Sequence, residues 1–245
     1  MKHPFRKKWG QNFLQDPNII NKIINCLDIK NDDLILEIGP GDGALTNELC
    51  KKKVIVHAVE IDPLLINYLS KKELPNLHLY NEDILKWDNN ILTNNYKIIG
   101  NLPYYISSPI LFHFLQIQKW SKMVLMFQKE VAERIVAQTN SKSYGRLSVM
   151  CQVYANVNIE FFVKKNVFYP RPNVESAVIS FNSKKNILPN IIHFSNFVKQ
   201  AFSHRRKTLK NNLLNNYKVE YFEKYKNLRA EQVSPEEYIK LFKLI

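Results

Sequence analysis

Five short apolar runs, separated by helical patterns, limit what this chain can fold into more than any other feature of its sequence. The runs are rich in Ile, Val and Leu, end at turn residues, and lie at 34–39, 54–59, 77–80, 96–100 and 123–127. Continuous apolar runs of this length are typical of strands that are covered on both faces. The helical patterns between them lie at 45–52, 64–72 and 107–119. The alternation predicts an α/β fold with a parallel, doubly wound, Rossmann-like sheet.

The pattern changes in the last quarter of the chain. Two further strands, at about 158–163 and 174–181, complete a predicted seven-stranded sheet, and β-like runs then stop near 182–190. Amphipathic helical patterns follow. The sequence therefore predicts two domains, an α/β domain over 1–186 with a basic N-terminal leader and a small, basic, α-helical domain over 187–245.

The net charge of +13 is distributed unevenly. From Lys184 to Ile245 there are 13 Lys and Arg residues against 5 Glu, and residues 1–10 contain four basic residues and no acidic one. Such clustering favours a polyanionic partner, most plausibly a nucleic acid. The alternative is a general compositional bias, because the chain is rich in Lys, Asn and Ile throughout.

The sequence does not indicate a membrane, secretory or metal-binding protein. It contains no run of 18 apolar residues, and residues 1–10 lack the apolar stretch of a signal peptide. Cys26, Cys50 and Cys151 lie far apart, without the spacing of metal ligands. We expect a cytoplasmic monomer with no bound metal and no membrane association.

A glycine-rich loop follows the first predicted strand. The segment EIGPGDGALT places Gly39, Gly41 and Gly43 between a strand and a helix, where the backbone can approach a ligand closely. The loop matches the pattern of a dinucleotide dehydrogenase, and a plain tight turn is a second alternative. Glu37 argues against a nicotinamide cofactor, because an acid directly before the glycines can contact a cationic group rather than a pyrophosphate.

Acidic residues follow the next two strands. Glu60 lies 21 positions after Gly39, where a carboxylate can accept both hydroxyls of an adenosine ribose. Asp83, after the third strand, is placed to accept a hydrogen bond from an adenine amino group. Glu60 is alternatively a solvated strand end and Asp83 a helix cap or turn residue. With the glycine loop, they predict a nucleoside site at the carboxyl edge of the sheet.

The fourth strand ends in IIGNLPYYI at 98–106. The N6 nitrogen of adenine is a poor nucleophile, because its lone pair is delocalised into the ring. The Asn101 side-chain oxygen and the Leu102 carbonyl can accept its two hydrogens and so localise that lone pair. Tyr104 offers a ring face on which a base can stack, worth roughly 1–3 kcal/mol. The segment predicts a clamp for an aminopurine, with Asn101, Leu102 and Tyr104 as catalytic residues.

These motifs resemble those of a known family. The NLPY segment resembles the amino-methyltransferase signature, and the glycine loop resembles an S-adenosylmethionine motif. The chain as a whole, from about Lys7 onward, resembles the small-subunit branch of the ribosomal RNA adenine N6-dimethyltransferases, the kasugamycin-resistance methyltransferases. The segments that carry this resemblance are KKWGQNFLQD (7–16), YGRLSVM (144–150), FYPRPNVESAV (168–178) and AFSHRRKTLKNNL (201–213).

The resemblance implies a cofactor, a substrate and site residues. The cofactor is S-adenosylmethionine, and the substrate is a pair of adjacent adenosines in the 3′-terminal hairpin of 16S ribosomal RNA, each methylated twice late in assembly of the small subunit. The implied cofactor-binding residues are Asn12, Leu14, Gly39, Gly41, Glu60, Asp83 and Asn101. Arg205, Arg206 and Lys207 are expected to start a helix that faces RNA phosphates, with a solvated charge run as the alternative.

The sequence departs from the family pattern at two positions, and three competing functions remain open. Trp9 stands where the family usually has Phe or Leu, and Tyr105 stands where Asn is common, which can reshape the base pocket. The competitors are the large-subunit branch of the same family, a non-catalytic RNA-binding assembly factor, and a nicotinamide dehydrogenase. An intact clamp at Asn101 to Tyr104 argues against the non-catalytic assembly factor, since RNA binding alone needs no such arrangement.

Overall fold

A seven-stranded sheet is the centre of the fold, as the alternating pattern predicts. The structure is a computed structural model and describes residues 11–92, 95–184 and 190–245. The strands are β1 (Phe13–Leu14), β2 (Leu34–Ile38), β3 (Ile55–Glu60), β4 (Leu77–Asn81), β5 (Tyr96–Asn101), β6 (Trp120–Gln128), β7 (Ala155–Val163), β8 (Phe168–Tyr169) and β9 (Ser176–Ser183). The order across the large sheet is β4-β3-β2-β5-β6-β9-β7, and β1 pairs with β8 in a separate two-stranded sheet.

Helices connect and follow the strands. They are α1 (Pro17–Cys26), α2 (Ala44–Leu49), α3 (Pro63–Ser70), α4 (Ser107–Ile117), α5 (Lys129–Ile135), α6 (Arg146–Tyr154), α7 (Ile191–Ala201), α8 (Leu209–Leu213) and α9 (Pro235–Phe242). Short 3-10 segments occupy Asn89–Ile91, Lys165–Val167, Val219–Tyr225 and Ala230–Gln232. Within the described ranges, no helix combines the length and the apolar composition that a membrane span requires.

The strand directions differ from the prediction at one side of the sheet. Strands β2 to β6 pair in parallel, but β9 runs antiparallel to β6, with Met123 opposite Phe181. The expectation of a wholly parallel sheet was wrong for this strand. An apolar run reports that both faces of a strand are buried and carries no information on its direction.

Asp-Pro pairs start two of the helices that support the sheet. The Asp16 carboxylate caps α1 by accepting from the backbone N–H groups of Asn18 and Ile19, and Asp62 caps α3 through Leu64 N–H. Proline follows each acid at the first helical position, where its missing N–H costs no hydrogen bond. The second of these caps fixes the loop that follows β3, beside the site described below.

The described residues group into two compact units. One contains the residues up to Ala132 together with Asn158–Asn182, and the other contains Glu133–Val157 together with Ser183–Ile245. The sequence placed its single boundary at 186/187, whereas 133–157 group with the C-terminal residues. The reason is that α6 packs on α7 and α9, for example through the Tyr154 and Phe194 rings, whose centroids are 6.1 Å apart. A change of composition along the chain cannot reveal this packing.

Candidate active site

A pocket opens in the first unit at the carboxyl ends of β2, β3 and β5. Ligands bind at this edge of open α/β sheets because the loops that follow parallel strands meet there. The lining comes from five stretches of chain, which lie at 11–14, 37–45, 59–61, 82–84 and 101–110. Every residue predicted from the sequence to bind cofactor or act in catalysis lies in these stretches, whereas Arg205, Arg206 and Lys207 do not.

The glycine loop lines the pocket. Gly39 and Gly41 have φ values of +64° and +60°, a conformation that residues with a Cβ rarely adopt. A Cβ on Gly39 would meet nothing within 4 Å, whereas one on Gly41 would lie 3.3 Å from the Phe13 ring. The loop therefore presents bare backbone to a ligand at Gly39 and packs closely against the N-terminal segment at Gly41.

Glu60 ends β3 with a buried carboxylate. One carboxylate oxygen accepts from Asp62 N–H at 2.9 Å and the other accepts from Gly41 N–H at 3.3 Å. Burial raises the pKa of Glu60, and these hydrogen bonds oppose the rise. Each oxygen retains acceptor capacity, as the predicted contact with two ribose hydroxyls requires.

Asp83 lies in the turn after β4. Its Oδ1 accepts from Leu85 N–H at 3.0 Å, so the residue does form the local turn that was the alternative prediction. Within the described part of the chain, Oδ2 accepts no hydrogen bond. The turn and a contact with an adenine amino group are thus compatible, because they use different oxygens.

The side-chain amide of Asn101 is held in one orientation. Its Nδ2 donates to the Asn12 carbonyl oxygen at 2.8 Å, which ties the end of β5 to the N-terminal segment. The amide nitrogen is therefore occupied, and Oδ1 receives no hydrogen bond from any residue that the structure describes. This leaves an oxygen acceptor at the pocket, which is the group that the predicted clamp needs.

Tyr104 is fixed at both ends. Its hydroxyl lies 2.7 Å from the Ser176 Oγ, and its carbonyl accepts from the Ser107 hydroxyl at 3.0 Å. The Leu102 side chain is buried, so this residue can act on a ligand only through its backbone. Tyr105, beside them, is 61% exposed and lines the pocket. Sequence reasoning missed the role of Ser176, because nothing in the pattern pairs it with a tyrosine 72 positions earlier.

The N-terminal segment is held by a two-stranded ladder that the sequence analysis did not predict. Phe13 pairs with Tyr169 and Leu14 with Phe168, and Gln15 N–H donates to the Val167 carbonyl at 2.9 Å. Asn12 and Leu14 both line the pocket, and Leu14 also packs in the core of the first unit. Two-residue strands are too short to produce a readable pattern. Residues 1–10, including Trp9 and the basic leader, lie outside the described residues.

Glu37 is the most buried acid of the pocket. Only 1% of its surface is exposed, and among the described residues its Oε2 has no hydrogen-bond partner. Burial raises its pKa to about 8. In the part of the chain that the structure describes, Glu37 forms no salt bridge, and a buried acid of this kind directly before a glycine loop fits a cofactor that carries positive charge and adenosine. The residues present therefore fit S-adenosylmethionine, whose methyl donor is a sulfonium.

The predicted RNA-binding residues lie in the second unit. Arg205, Arg206 and Lys207 are exposed and lie in the turn before α8, which begins two residues later than Lys207. The sequence predicted that these residues start the helix, whereas they lie just before it. The Arg205 guanidinium donates to the Lys142 carbonyl. No cluster of three or more His, Cys, Asp or Glu residues able to hold a metal occurs in the described ranges.

The chain matches a known family over nearly its whole length. The family model for ribosomal RNA adenine dimethylase matches residues 2–245. A ribosomal RNA small subunit methyltransferase A from Mycoplasma capricolum is 45% identical, with 98% of this chain and 97% of that protein covered. One of the same name from Francisella tularensis subsp. novicida is 44% identical, with 96% and 95% covered.

Two solved structures are similar over nearly the whole chain. A dimethyladenosine transferase from Plasmodium falciparum has a TM-score of 0.82 and 28% identity, with 94% of this chain and 95% of that one covered. The 23S rRNA methyltransferase ErmE has a TM-score of 0.74 and 26% identity, with 95% and 99% covered. With a family model that spans the chain and relatives of this identity, the chain belongs to the ribosomal RNA adenine dimethylase family.

Proposed function

We propose that this protein uses S-adenosylmethionine to dimethylate the N6 nitrogens of two adjacent adenosines in the 3′-terminal hairpin of small-subunit ribosomal RNA. The family and the names of its relatives support this activity. One observation carries the proposal for this chain: the Asn101 amide nitrogen is bound to the Asn12 carbonyl, so that its oxygen is available at the pocket. The proposed substrate is the ribosomal RNA of an assembling small subunit, in the cytoplasm.

The residues that would hold the cofactor come from five parts of the chain, one of which is Asn101 at the end of β5. Gly39 and Gly41 offer bare backbone, Glu60 offers carboxylate oxygens to a ribose, and Asp83 offers its Oδ2 to adenine. The N-terminal segment closes the pocket at Asn12 and Leu14. When bound, S-adenosylmethionine supplies an electrophilic methyl group. All of these residues belong to one chain, which supports a monomer as the active unit.

The protein's own residues prepare the target amine. In the first transfer the Asn101 Oδ1 and the Leu102 carbonyl accept the two N6 hydrogens, and in the second transfer one of them accepts the single hydrogen that remains. These contacts draw the nitrogen toward tetrahedral geometry and localise its lone pair. No strong base is required, because the proton on the nitrogen becomes acidic once the methyl group has been transferred and is then lost to solvent. The target base reaches the pocket only if it is splayed out of its stack, as for other enzymes that act on a base.

Tyr104 supplies the stacking face in this proposal. Tyr104→Ala is expected to lower kcat/KM for RNA by about 5- to 150-fold, which corresponds to the roughly 1–3 kcal/mol of one base–aromatic stack. Tyr104→Phe keeps the ring and loses only the hydrogen bond to Ser176, so we expect a change of a few-fold. Steady-state methylation of RNA measures both. If the two variants lose the same factor in kcat/KM, the contribution of Tyr104 comes from its hydroxyl and not from its ring face.

The basic turn before α8 is proposed to contact RNA phosphates. Charge reversal of Arg205 and Arg206 together is expected to weaken RNA binding and to reduce the slope of log K against log salt by roughly 1.5–2, since two phosphate contacts are lost. The matched control reverses Lys52 and Lys53, an exposed adjacent pair in the first unit. Filter binding over a salt series compares the two. An equal change in both variants would show a general charge effect only.

The test of the proposed function is methyl incorporation into unmethylated small subunits, with the product nucleoside identified by mass spectrometry. N6,N6-dimethyladenosine at two adjacent positions of the small-subunit hairpin supports the proposal. Modification confined to large-subunit RNA would assign the chain to the other branch, to which the similarity with ErmE also corresponds. Binding to the subunit without any methylation would support an assembly factor instead.

A further inference from the structure

Tyr105 is the most exposed large apolar or aromatic side chain in the part of the chain that the structure describes, with 61% of its surface accessible. It also lines the pocket, in the turn between the end of β5 and the start of α4. Its side chain forms no hydrogen bond and no ring contact with any described residue. A ring that folding leaves open at the rim of a ligand pocket is placed where a ligand can cover it.

The backbone on both sides of Tyr105 is held in place. Proline at position 103 fixes its own φ, and its carbonyl accepts from Ile106 N–H at 3.1 Å, across the turn. The Tyr104 carbonyl accepts from the hydroxyl of Ser107, which is buried. The turn therefore presents the Tyr105 ring from a fixed backbone, and a tyrosine side chain loses little conformational entropy when it is covered, because it has only two χ angles.

The position of Tyr105 in the chain indicates which group covers its ring. It directly follows Tyr104, on which the target base is proposed to stack, and consecutive Cα atoms are about 3.8 Å apart. A target base that is splayed into the pocket stays covalently joined to the nucleotides on either side of it. One of those nucleotides must therefore leave the pocket past its rim. Every nucleobase has a π-face that can stack on an aromatic ring.

We propose that Tyr105 is a second stacking face, which holds the base of the nucleotide next to the target adenosine. This inference rests on the proposed function, because it takes RNA as the substrate. In the proposed substrate, the neighbour is the other adenosine of the pair. Stacking uses the face of the base and leaves its N6 edge free, so Tyr105 accepts the neighbour both before and after that base is itself dimethylated.

Three substitutions separate the ring from the rest of the side chain. Tyr105→Ala is expected to lower kcat/KM for small subunits by about 5- to 10-fold, the lower end of the effect of one base–aromatic stack, because the ring lies at the rim. Tyr105→Phe keeps the ring and is expected to match the wild type. Tyr105→Asn, which introduces the residue common in the family, is expected to resemble Tyr105→Ala. Urea unfolding should give the same midpoint for all four proteins, because the side chain is exposed.

The decisive experiment varies Tyr105 and the neighbouring base together. Unmethylated small subunits are reconstituted from transcripts in which one adenosine of the pair is replaced by guanosine or uridine, and single-turnover methylation of the remaining adenosine is measured. We expect the wild type and Tyr105→Phe to react a few-fold faster beside a purine than beside uridine, because the larger base stacks better. Tyr105→Ala is expected to lose this preference. Effects of the replacement on the RNA itself cancel when the variant is compared with the wild type.

Replacing each adenosine in turn shows which neighbour Tyr105 holds. We expect the preference for a purine on one side of the target only, since one ring at the rim of one pocket meets one of the two neighbours. A preference on both sides that Tyr105→Ala removes equally would indicate a general effect on RNA binding and overturn the proposal. Equal rates beside all bases in the wild type, or a preference that survives in Tyr105→Ala, would also overturn it.

Tyr169 supplies the matched control. It is 54% exposed and pairs with Phe13, which lines the pocket. Tyr169→Ala is expected to keep the preference for a purine neighbour. If Tyr169→Ala removes the preference and Tyr105→Ala keeps it, the second stacking face lies on β8 and the proposal for Tyr105 is wrong.

Failure of this inference is distinguishable from failure of the proposed function. Methylation of the adenosine pair with no dependence on the neighbouring base would remove only the role of Tyr105. A loss of rate in Tyr105→Ala that is the same beside every base would show that Tyr105 contacts another part of the particle, and would likewise remove only this role. Absence of any methylation of the unaltered pair by the wild type would remove the proposed function itself.

Discussion

Asn101→Ala is expected to reduce the rate of methyl transfer by at least about 10²–10³-fold, the usual loss when one preorganised hydrogen-bonding group is removed from a transition state. The side-chain oxygen acts on the amine of the target base, so the loss should appear in kcat. The same substitution also removes the hydrogen bond to the Asn12 carbonyl. One such bond contributes about 0.5–1.5 kcal/mol, so Kd for the cofactor should rise by less than about tenfold.

The two effects are separable by experiment. A tritium-methyl assay measures transfer, and calorimetry measures cofactor binding with the same preparation. Asn89→Ala serves as the control, because Asn89 starts a 3-10 segment outside the pocket and its amide donates to the Trp87 carbonyl. If transfer and cofactor binding fall by the same factor, Asn101 acts by holding the N-terminal segment and the clamp is refuted.

Gly100→Ala is expected to impair both stability and catalysis. A Cβ at this position would lie 2.9 Å from the Ile38 carbonyl oxygen and 3.0 Å from the Leu102 side chain. The first of these atoms is backbone of the neighbouring strand, so β2 and β5 must move apart. Overpacking of this kind costs about 1–3 kcal/mol of unfolding free energy. β2 ends at Ile38, directly before Gly39, and β5 ends at Asn101, so the displacement also separates the glycine loop from the clamp.

Urea unfolding and methyl transfer by the folded fraction measure these two consequences. Gly145→Ala is the matched control, because a Cβ there meets nothing within 4 Å and its backbone is extended. The expected cost at Gly145, a helix N-cap, is below about 1 kcal/mol. A Gly100→Ala protein with wild-type stability and activity would show that the two strands tolerate the extra methyl group.

Local sequence patterns were sufficient for strands β2 to β6 and for the helices α2, α3 and α4 between them, whereas α1, β1 and β8 were not predicted. Apolar runs and Asp-Pro starts are local signals, and the glycines of the loop are required by its positive φ angles. The sequence also predicted that Glu60, Asp83 and Asn101 lie near one another. In parallel strands the carboxyl ends meet at one edge, so the order of the strands is enough to bring these side chains into one pocket.

The hydrogen bonds that orient these residues were not predictable from local patterns. The bond from Asn101 to the Asn12 carbonyl spans 89 positions, and the contact of Tyr104 with Ser176 spans 72. Local patterns also could not predict the antiparallel direction of β9 or the grouping of 133–157 with the C-terminal residues. Each depends on which surfaces pack together, and a repeating pattern reports only that a surface is buried.

By itself, the sequence determined the kind of fold, the chemistry at the edge of the sheet and the family. These follow from residue type and spacing, because periodic burial and the conformational needs of glycine and proline act over a few residues. Only the tertiary structure decided which oxygen of the pocket is available, which aromatic ring is held and which acid lacks a partner. Those properties depend on distances between residues remote in sequence, and the burial that leaves the Glu37 Oε2 without a hydrogen-bond partner among the described residues exists only when the whole pocket has formed.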